Sequence, residues 1–206
     1  TRHGVALGLL LGMGLRVGEL RALRWEHINL TAGTMDVVEA AQDQSAGAPI
    51  GPPKWGKLRH RLALPDPVRA DLERHRTNMG RADERYVAPT TPVITDADCE
   101  IVGPTWVSSM WKHVKEKAPD FGIEFGERWL TPHSCRHSLN TWLLLQGAPP
   151  LQVQEFLGWE SDAGKALAAM QQHYGHFELA GTAEVARMIS NFLNASETKP
   201  AQIEMG

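Results

Sequence analysis

The amino-acid sequence predicts a mainly helical protein with one small antiparallel β-sheet, an α+β class. Apolar residues recur at three- and four-residue spacing through most of the 206-residue chain, which is typical of amphipathic helices. Residues 34–65 differ, because they alternate or are rich in strand-forming residues around a segment rich in proline and glycine. The length and a hydrophobic content of 42% suffice for one domain with a sizeable core.

The N-terminal part is predicted to contain two helices followed by two strands. Helical spacing across Gly4–Leu23 is interrupted at Gly12 and Gly14, so we predict two helices joined by a tight turn. Residues 34–41 and 60–65 are the predicted strands, and the proline- and glycine-rich residues 48–53 lie between them. We therefore expect these strands to pair in an antiparallel sheet.

Prolines mark the starts of the next helices. Helices are predicted at Pro67–Met79 and Pro104–Ala118, each with a proline near its first position, where the missing N–H costs nothing. Between them, Gly80–Gly103 is predicted to be a loop with a short strand. The most clearly marked helix follows the N-cap and first residue Thr131-Pro132, and Gly147 supplies its C-cap.

The C-terminal part is predicted to hold three more helices. Two short ones are expected at Leu151–Leu157 and Ala163–Gln172, and an amphipathic one at Ala183–Leu193. The predicted organisation is one domain over residues 1–195 and a polar tail over residues 196–206.

Composition excludes several classes of protein. The two cysteines, Cys99 and Cys135, lack CxxC spacing, so reduced thiols in a cytosolic compartment are expected. The longest apolar stretch, Val5–Leu15, is broken by glycines and is shorter than the ~20 residues that cross a bilayer. No cationic segment with a cleavage site precedes this stretch in the given sequence, so we do not expect a signal peptide in this part of the chain. Because the sequence does not open with methionine, we expect it to begin inside a longer protein.

The charge distribution leaves nucleic-acid binding open. The net charge is −3, whereas a DNA-binding domain is usually basic overall. Residues 54–61, however, contain four cations and a histidine without any acidic residue: Lys54, Lys57, Arg59, His60 and Arg61. Such a run could bind a polyanion, or it could be a solvated basic turn.

Two further groups of polar residues suggest chemistry. On the helix after Thr131, His133 and Arg136 are three residues apart and are expected to share one face, opposite a packing face of Cys135, Leu139 and Trp142. Arg16 follows a glycine turn at a helix start, where its guanidinium could bind an anion through two hydrogen bonds. Tyr174, one of only two tyrosines, directly follows a predicted helix.

Five segments of the chain resemble the catalytic boxes of tyrosine recombinases, and they occur in that family's order. They are Gly14-Leu-Arg-Val-Gly-Glu-Leu20, Pro53-Lys-Trp-Gly-Lys, Thr131-Pro-His-Ser-Cys-Arg-His-Ser138, Leu157-Gly-Trp159 and Tyr174-Gly-His. The resemblance runs from about residue 4 to residue 178. It implies the catalytic-domain fold of that family, mostly α with a three-stranded antiparallel sheet, and DNA strand exchange through a 3′-phosphotyrosine bond.

The resemblance also implies a role for each matching residue. Tyr174 is the nucleophile, and Arg16 and Arg136 neutralise the phosphate in the transition state, so no metal or other cofactor is required. Lys54 is the general acid for the leaving 5′-oxygen, with Lys57 as the alternative. His133 is a general base or a phosphate ligand.

Two features depart from the family pattern. Most members have Leu-Gly-His where this chain has Leu157-Gly-Trp159. An indole N–H can donate to a phosphate but cannot exchange protons, so Trp159 is expected to be a ligand and not an acid. The interval of 15 residues from Trp159 to Tyr174 is also longer than is usual in the family.

The residues leave other interpretations open. His133 and His137 could be two ligands of a metal site, although the glutamate of an HExxH motif is missing. Arg16 and Glu19 could form a surface ion pair, and Trp159 could be a core residue. We interpret Glu19 as a structural residue that orients a nearby basic group. Lys57, Arg59 and Arg61 are predicted to contact DNA.

The resemblance implies double-stranded DNA as the partner, a homotetramer on synapsed DNA and an N-terminal DNA-clamping domain outside this chain. The expected location is the cytoplasm, at the nucleoid. Two rival functions remain: a topoisomerase that uses the same tyrosine chemistry, and a DNA-binding module that has lost catalysis.

Overall fold

A computed structural model describes residues 1–43, 45, 47–54, 58–123, 131–158 and 178–197. Within these ranges the chain is mainly helical with little sheet, which confirms the predicted class. The helices are α1 (Arg2–Gly12), α2 (Val17–Ala22), α3 (Asp66–Ala82), α4 (Pro104–Lys117), α5 (Pro132–Leu145), α6 (Pro150–Leu157) and α7 (Glu178–Glu197). The strands are β1 (Ile28–Asn29), β2 (Thr34–Val37), β3 (Ala40–Ala41), β4 (Ile50–Gly51) and β5 (Arg59–Ala63).

The glycine turn between α1 and α2 has the predicted position. Gly14 adopts a φ of +59°, a conformation that residues with a Cβ rarely adopt. A Cβ here would also lie only 2.5 Å from Cδ2 of Leu157, so the start of α2 approaches the end of α6 closely. Glycine at this position therefore allows the N-terminal turn to contact the C-terminal half of the chain.

The larger sheet contains three antiparallel strands in the order β1-β2-β5, as the family resemblance implies. Between β2 and β5 the register shifts, so that Met35 pairs with Leu62 but Val37 pairs with Arg59. Arg61, with a φ of +52°, lies in this irregularity, and its N–H donates to Oδ1 of Asp36 at 2.6 Å. The bulge turns Arg59 and Leu62, three residues apart, to the buried side.

A second ribbon of two strands, β3 and β4, was predicted only in part. The sequence predicted one strand over residues 34–41, and the structure divides it into β2 and β3 and adds β4. Arg21 attaches the loop of this ribbon to the core. Its fully buried guanidinium donates to three carbonyl oxygens, those of Val102, Asp43 and Ser45, at 2.6 to 2.8 Å.

The central helices lie close to their predicted positions. Both α3 and α4 have a proline in the first turn, as expected. The loop between them contains a short 3₁₀ turn, Glu84–Val87, and instead of the predicted strand it makes only isolated bridges, such as Thr95 with Ile101.

One core joins the N-terminal and C-terminal helices. Helix α1 packs against α3 and α5, and α7 packs against β5, α6 and α3. Leu9, Leu10, Leu72, Leu143 and Phe156 are completely buried within this core.

The C-terminal helix α7 is longer than predicted. It contains the predicted residues 183–193 and continues to Glu197, two residues into the predicted tail. The helix predicted at 163–172 lies outside the described residues. Among the described helices, none is both long enough and apolar enough to span a bilayer.

Candidate active site

Helix α5 carries two of the predicted site residues on its first turns. Its first residue is Pro132, and the N–H of the preceding Thr131 donates to Oγ of Ser134 at 3.1 Å, which closes the N-terminus. His133 is exposed, whereas Arg136 has no exposed surface. The sequence placed Arg136 on a face opposite the packing residues, but in the structure Arg136 is buried as deeply as the packing residue Cys135.

The burial of the Arg136 guanidinium is compensated by hydrogen bonds to backbone oxygens of two other segments. Nη1 donates to the carbonyl of Gly14 at 2.7 Å, and Nη2 donates to the carbonyl of Leu157. Burial, followed by repulsion from Arg16 and Arg59, lowers the pKa of Arg136 to about 9. The guanidinium is therefore still charged at neutral pH.

Arg16 lies at the N-terminus of α2, directly after the glycine turn. Its N–H and its Nη1 both donate to the carboxylate of Glu19, each at 2.8 Å. Nη2 reaches the carbonyl of Gly158 at 3.4 Å. The Arg16 side chain keeps 20% of its surface exposed, so it can still contact a ligand from solvent.

Arg59 points into the protein and not toward solvent. It is only 4% exposed, and its Nη2 donates to Oε2 of Glu19 at 2.6 Å. Its Nη1 donates to the carbonyl of Phe156 at 2.9 Å. The expected DNA contact by Arg59 does not fit this burial, since both contacts are with the interior of the chain.

Three arginines from different segments thus converge on three consecutive carbonyls at the end of α6. Arg59 bonds to residue 156, Arg136 to residue 157 and Arg16 to residue 158. The C-terminus of a helix carries a partial negative charge, which favours cations. With Glu19, these four side chains hold three positive charges and one negative charge in a small volume, an arrangement suited to an anion.

Glu19 is ionised within this cluster. Burial raises the pKa of its carboxyl group, but the charge of Arg59 and the hydrogen bonds from Arg16 outweigh burial, so the pKa lies below its ordinary value. Burial is also the main reason that the pKa of Arg59 is lowered, and Glu19 opposes that effect. The two side chains form a buried ion pair, with Nη2 of Arg59 2.6 Å from Oε2 of Glu19.

His133 lies at the edge of the cluster beside His137. The two rings meet edge to face with centroids 4.6 Å apart. Partial removal from water, then repulsion by His137 and by nearby cations, lowers the pKa of His133 below its ordinary value. Among the residues that the structure describes, no third histidine, cysteine or carboxylate joins this pair in a possible metal site.

The remaining predicted residues are only partly described. Lys54 is exposed and lies near enough to His133 for its charge to affect that ring. Arg61 is exposed on β5. The three other predicted residues, Lys57, Trp159 and Tyr174, lie outside the described ranges.

The sequence also matches a known protein family. Residues 1–176 match the phage integrase family. The chain belongs to that family.

This family member resembles integrases and Xer recombinases over most of its length. An integrase of Saccharopolyspora erythraea is 26% identical over 226 residues, which cover 85% of this chain and 50% of the relative. The tyrosine recombinase XerA of Thermococcus kodakarensis is 29% identical over 150 residues, which cover 73% and 44% of the two chains. The chain therefore spans about half the length of the curated relatives that it matches.

Solved structures show that this phage integrase family member shares their fold. An integrase of the transposon Tn1549, solved in complex with a circular intermediate DNA, superposes with a TM-score of 0.63 at 20% identity and covers 83% of this chain and 58% of its own. A XerA recombinase crystal structure superposes with a TM-score of 0.54 at 20% identity. The predicted recombinase fold is thereby confirmed.

The sequence predicted Arg16, His133 and Arg136 as site residues, and the roles expected of them remain predictions. The DNA contact expected of Arg59 does not fit the burial of its side chain. The motif that contains Arg16 also contains Glu19, and the structural role expected of that carboxylate agrees with its contacts. No local signal marked Arg59, because its orientation depends on the bulge in β5. The sequence alone does not show which arginine in a run of cations is exposed and which is buried.

Proposed function

We propose that this chain is the catalytic part of a site-specific DNA recombinase that breaks and rejoins DNA through a 3′-phosphotyrosyl intermediate. The observation that carries the proposal is the convergence of Arg16 and Arg136 on adjacent carbonyls at the end of α6. The family membership and the fold support the same reaction class.

Arg16 and Arg136 form the proposed phosphate clamp. Displacement at phosphorus places negative charge on the two nonbridging oxygens, and guanidinium groups fixed beforehand stabilise that charge. Arg136 is held by backbone carbonyls, and Arg16 is held by Glu19. Because the protein itself supplies this positive charge, the proposed reaction needs no metal ion.

The proton transfers complete the reaction. The oxygen of Tyr174 attacks phosphorus while its proton passes to His133, whose lowered pKa leaves the imidazole neutral and able to accept. The bond to the 5′-oxygen breaks, and that oxygen takes a proton from Lys54. Trp159 donates its indole N–H to a nonbridging oxygen. In the reverse direction, a 5′-hydroxyl attacks the phosphotyrosine and releases Tyr174.

The proposed partners follow from the reaction class. Double-stranded DNA is the substrate, and the exposed cations Lys54 and Arg61, together with Lys57, bind its phosphates. Recombination between two duplexes requires a synaptic assembly, for which we propose a homotetramer and a further DNA-clamping domain. The enzyme would act in the cytoplasm at the nucleoid.

Covalent trapping tests the proposal. The substrate is a nicked duplex that contains the site which the wild-type protein selects from a random-sequence library. Cleavage beside the nick releases a short fragment and traps the protein on the 3′-phosphate. We expect a covalent adduct with the wild-type protein and none with Tyr174→Phe, although both bind the duplex. Binding without any adduct by the wild-type protein would instead indicate a DNA-binding module.

A further inference from the structure

Arg59 makes contacts that an ordinary DNA-binding arginine would not make. It is 4% exposed, and the carboxylate of Glu19 and the carbonyl of Phe156 accept its hydrogen bonds at 2.6 and 2.9 Å. The fold also leaves room for it: a Cβ at Gly158 would lie 2.7 Å from Cδ of Arg59 and 2.9 Å from its Nε. The Arg59 side chain therefore packs directly against Gly158, where any larger residue would collide with it.

We propose that Arg59 is a positioning residue for the phosphate clamp, acting on Arg16 through their shared partner Glu19. This inference rests on the proposed function. It assigns Arg59 no contact with DNA and places its effect on the orientation and charge of the Arg16 guanidinium.

The geometry links the two arginines through a single carboxylate. Oε2 of Glu19 accepts hydrogen bonds from Nη2 of Arg59 and from the backbone N–H of Arg16, and Oε1 accepts from Nη1 of Arg16. Each carboxylate oxygen is thus fixed by a donor of known position. If Arg59 is removed, the Glu19 carboxylate loses the hydrogen-bond donor on β5. The carboxylate can then change its orientation, and its hydrogen bonds no longer fix the position of the Arg16 guanidinium.

The same contacts also determine the net charge of the cluster to which a phosphate would bind. With Arg59 present, Glu19 is shared between two guanidinium groups. Without Arg59, the full negative charge of Glu19 would fall on Arg16, and the cluster would attract an anion less strongly. Arg59 also bonds to the carbonyl next to those that receive Arg136 and Arg16, so it fixes the turn on which the clamp is built.

The test compares two linkages at the scissile position of the nicked substrate described above. One is the natural phosphodiester, and the other is a methylphosphonate, in which a methyl group replaces one nonbridging oxygen and the linkage is neutral. Arginines that neutralise the charge on the nonbridging oxygens should contribute less to the rate of cleavage when the linkage is neutral. We expect Arg59→Met to form the adduct about 10- to 100-fold more slowly than wild type on the phosphodiester, and within about 3-fold of wild type on the methylphosphonate.

Two variants serve as controls. Lys54→Ala should remain slow on both linkages, because it acts on the leaving oxygen and not on the nonbridging oxygens. Its defect should disappear with a 5′-bridging phosphorothiolate, whose sulfur leaves without a proton, whereas that substitution should not help Arg59→Met. Tyr174→Phe should give no adduct on any linkage.

The outcomes separate this inference from the proposed function. If the wild-type protein forms no adduct on any linkage, the proposed function fails. If the wild-type protein reacts and Arg59→Met is either unimpaired or equally slow on both charged and neutral linkages, the positioning role is wrong. Circular dichroism and thermal melting check that each variant is folded.

Arg59→Lys provides a second variant should Arg59→Met fail to fold. Lysine keeps the positive charge but cannot bond to Glu19 and Phe156 with one planar fork. We expect a smaller defect than for Arg59→Met, again suppressed on the methylphosphonate. If neither variant folds, Arg59 is needed only for stability and the inference is overturned.

Discussion

At the scale of single residues, His133 combines an exposed ring with a cationic neighbourhood. Partial removal from water lowers its pKa, and repulsion by His137 and then by Arg136, Arg16 and Lys54 lowers it further. A neutral imidazole can accept a proton, whereas an imidazolium cannot. The neighbouring cations therefore favour the protonation state that the proposed reaction requires.

Titration of His133 by NMR tests this environment in the DNA-free protein. We expect the ring to titrate below its ordinary pKa of 6.5 and to be neutral at pH 7. His137→Gln should move the pKa of His133 upward, because His137 contributes the largest repulsion. Lys54→Met should move it upward by less, since Lys54 is the weakest of the contributing charges. A wild-type pKa above 6.5 would show that the cluster does not act on this ring.

Gly14 provides a second prediction at a single residue. Gly14→Ala combines a strained φ of +59° with a Cβ only 2.5 Å from Cδ2 of Leu157, so we expect a loss of about 2–4 kcal/mol in the free energy of unfolding. Gly147→Ala is the matched control: its φ is +83°, but no atom lies within 4 Å of the added Cβ. Strain alone should cost it about 1 kcal/mol. Urea denaturation measures both, and equal losses would argue against close packing at Gly14.

At the scale of secondary-structure elements, α1 shows how one helix meets different neighbours along its length. Gly8 and Gly12 are one turn apart on the same helix. At Gly12 an added Cβ would lie 2.7 Å from Cγ2 of Val68 on α3, whereas at Gly8 the nearest atom is Oδ2 of Asp71 at 3.8 Å. The C-terminal end of α1 is therefore packed directly on α3, and the preceding turn leaves space.

This difference predicts opposite effects for two identical substitutions. Gly8→Ala should stabilise the protein by about 0.5–1 kcal/mol, because alanine restricts the unfolded chain and favours the helix. Gly12→Ala should destabilise it by about 1–3 kcal/mol, because the overlap with Val68 forces α1 and α3 apart. Each variant controls for the other in helix propensity, and chemical denaturation gives the sign. Stabilisation by Gly12→Ala would contradict the packing described.

Strand β5 illustrates what the sequence could not predict at this scale. Strict alternation with Leu62 inward would place Arg59 outward, in line with the expectation of a DNA contact. The bulge at Arg61 breaks the alternation, and Arg59 is buried. Helix starts were easier to predict, because prolines and caps act locally, as at Thr131 and Pro132. A bulge depends on the partner strand, so no local pattern marks it.

At the scale of the whole molecule, the arginine cluster of the proposed phosphate clamp joins segments that are distant in sequence. Glu19 on α2, Arg59 on β5 and Arg136 on α5 all connect to the end of α6 directly or through one another. The motifs predicted that Arg16 and Arg136 are functional, because each box is a local signal. They could not predict that consecutive carbonyls would orient three arginines, since that arrangement arises only when the elements pack.

The buried pair of Glu19 and Arg59 makes global stability depend on one carboxylate. Glu19→Gln keeps the shape of the side chain but removes its negative charge. The charged Arg59 side chain, which is only 2% exposed, is then left without its ionic partner. Removal of one member of a buried pair costs about 3–5 kcal/mol, and we expect a loss of that size at pH 7. The double variant Glu19→Gln with Arg59→Met should recover part of the loss, because no charge is then left buried at that point.

The pH dependence of this loss identifies its cause. The pKa of Glu19 is lowered in the folded protein from its ordinary value of 4.5, so its stabilisation is present above that value and is lost as the pH falls through the folded pKa. Protonated Glu19 resembles glutamine, so the difference in unfolding free energy between wild type and Glu19→Gln should shrink below about pH 4.5. Glu116→Gln, which removes an exposed carboxylate 3.7 Å from Lys112 on α4, should change stability by less than about 0.5 kcal/mol. A Glu19→Gln loss that stays constant between pH 7 and pH 3 would mean that packing, and not the charge of Glu19, holds α2 against β5.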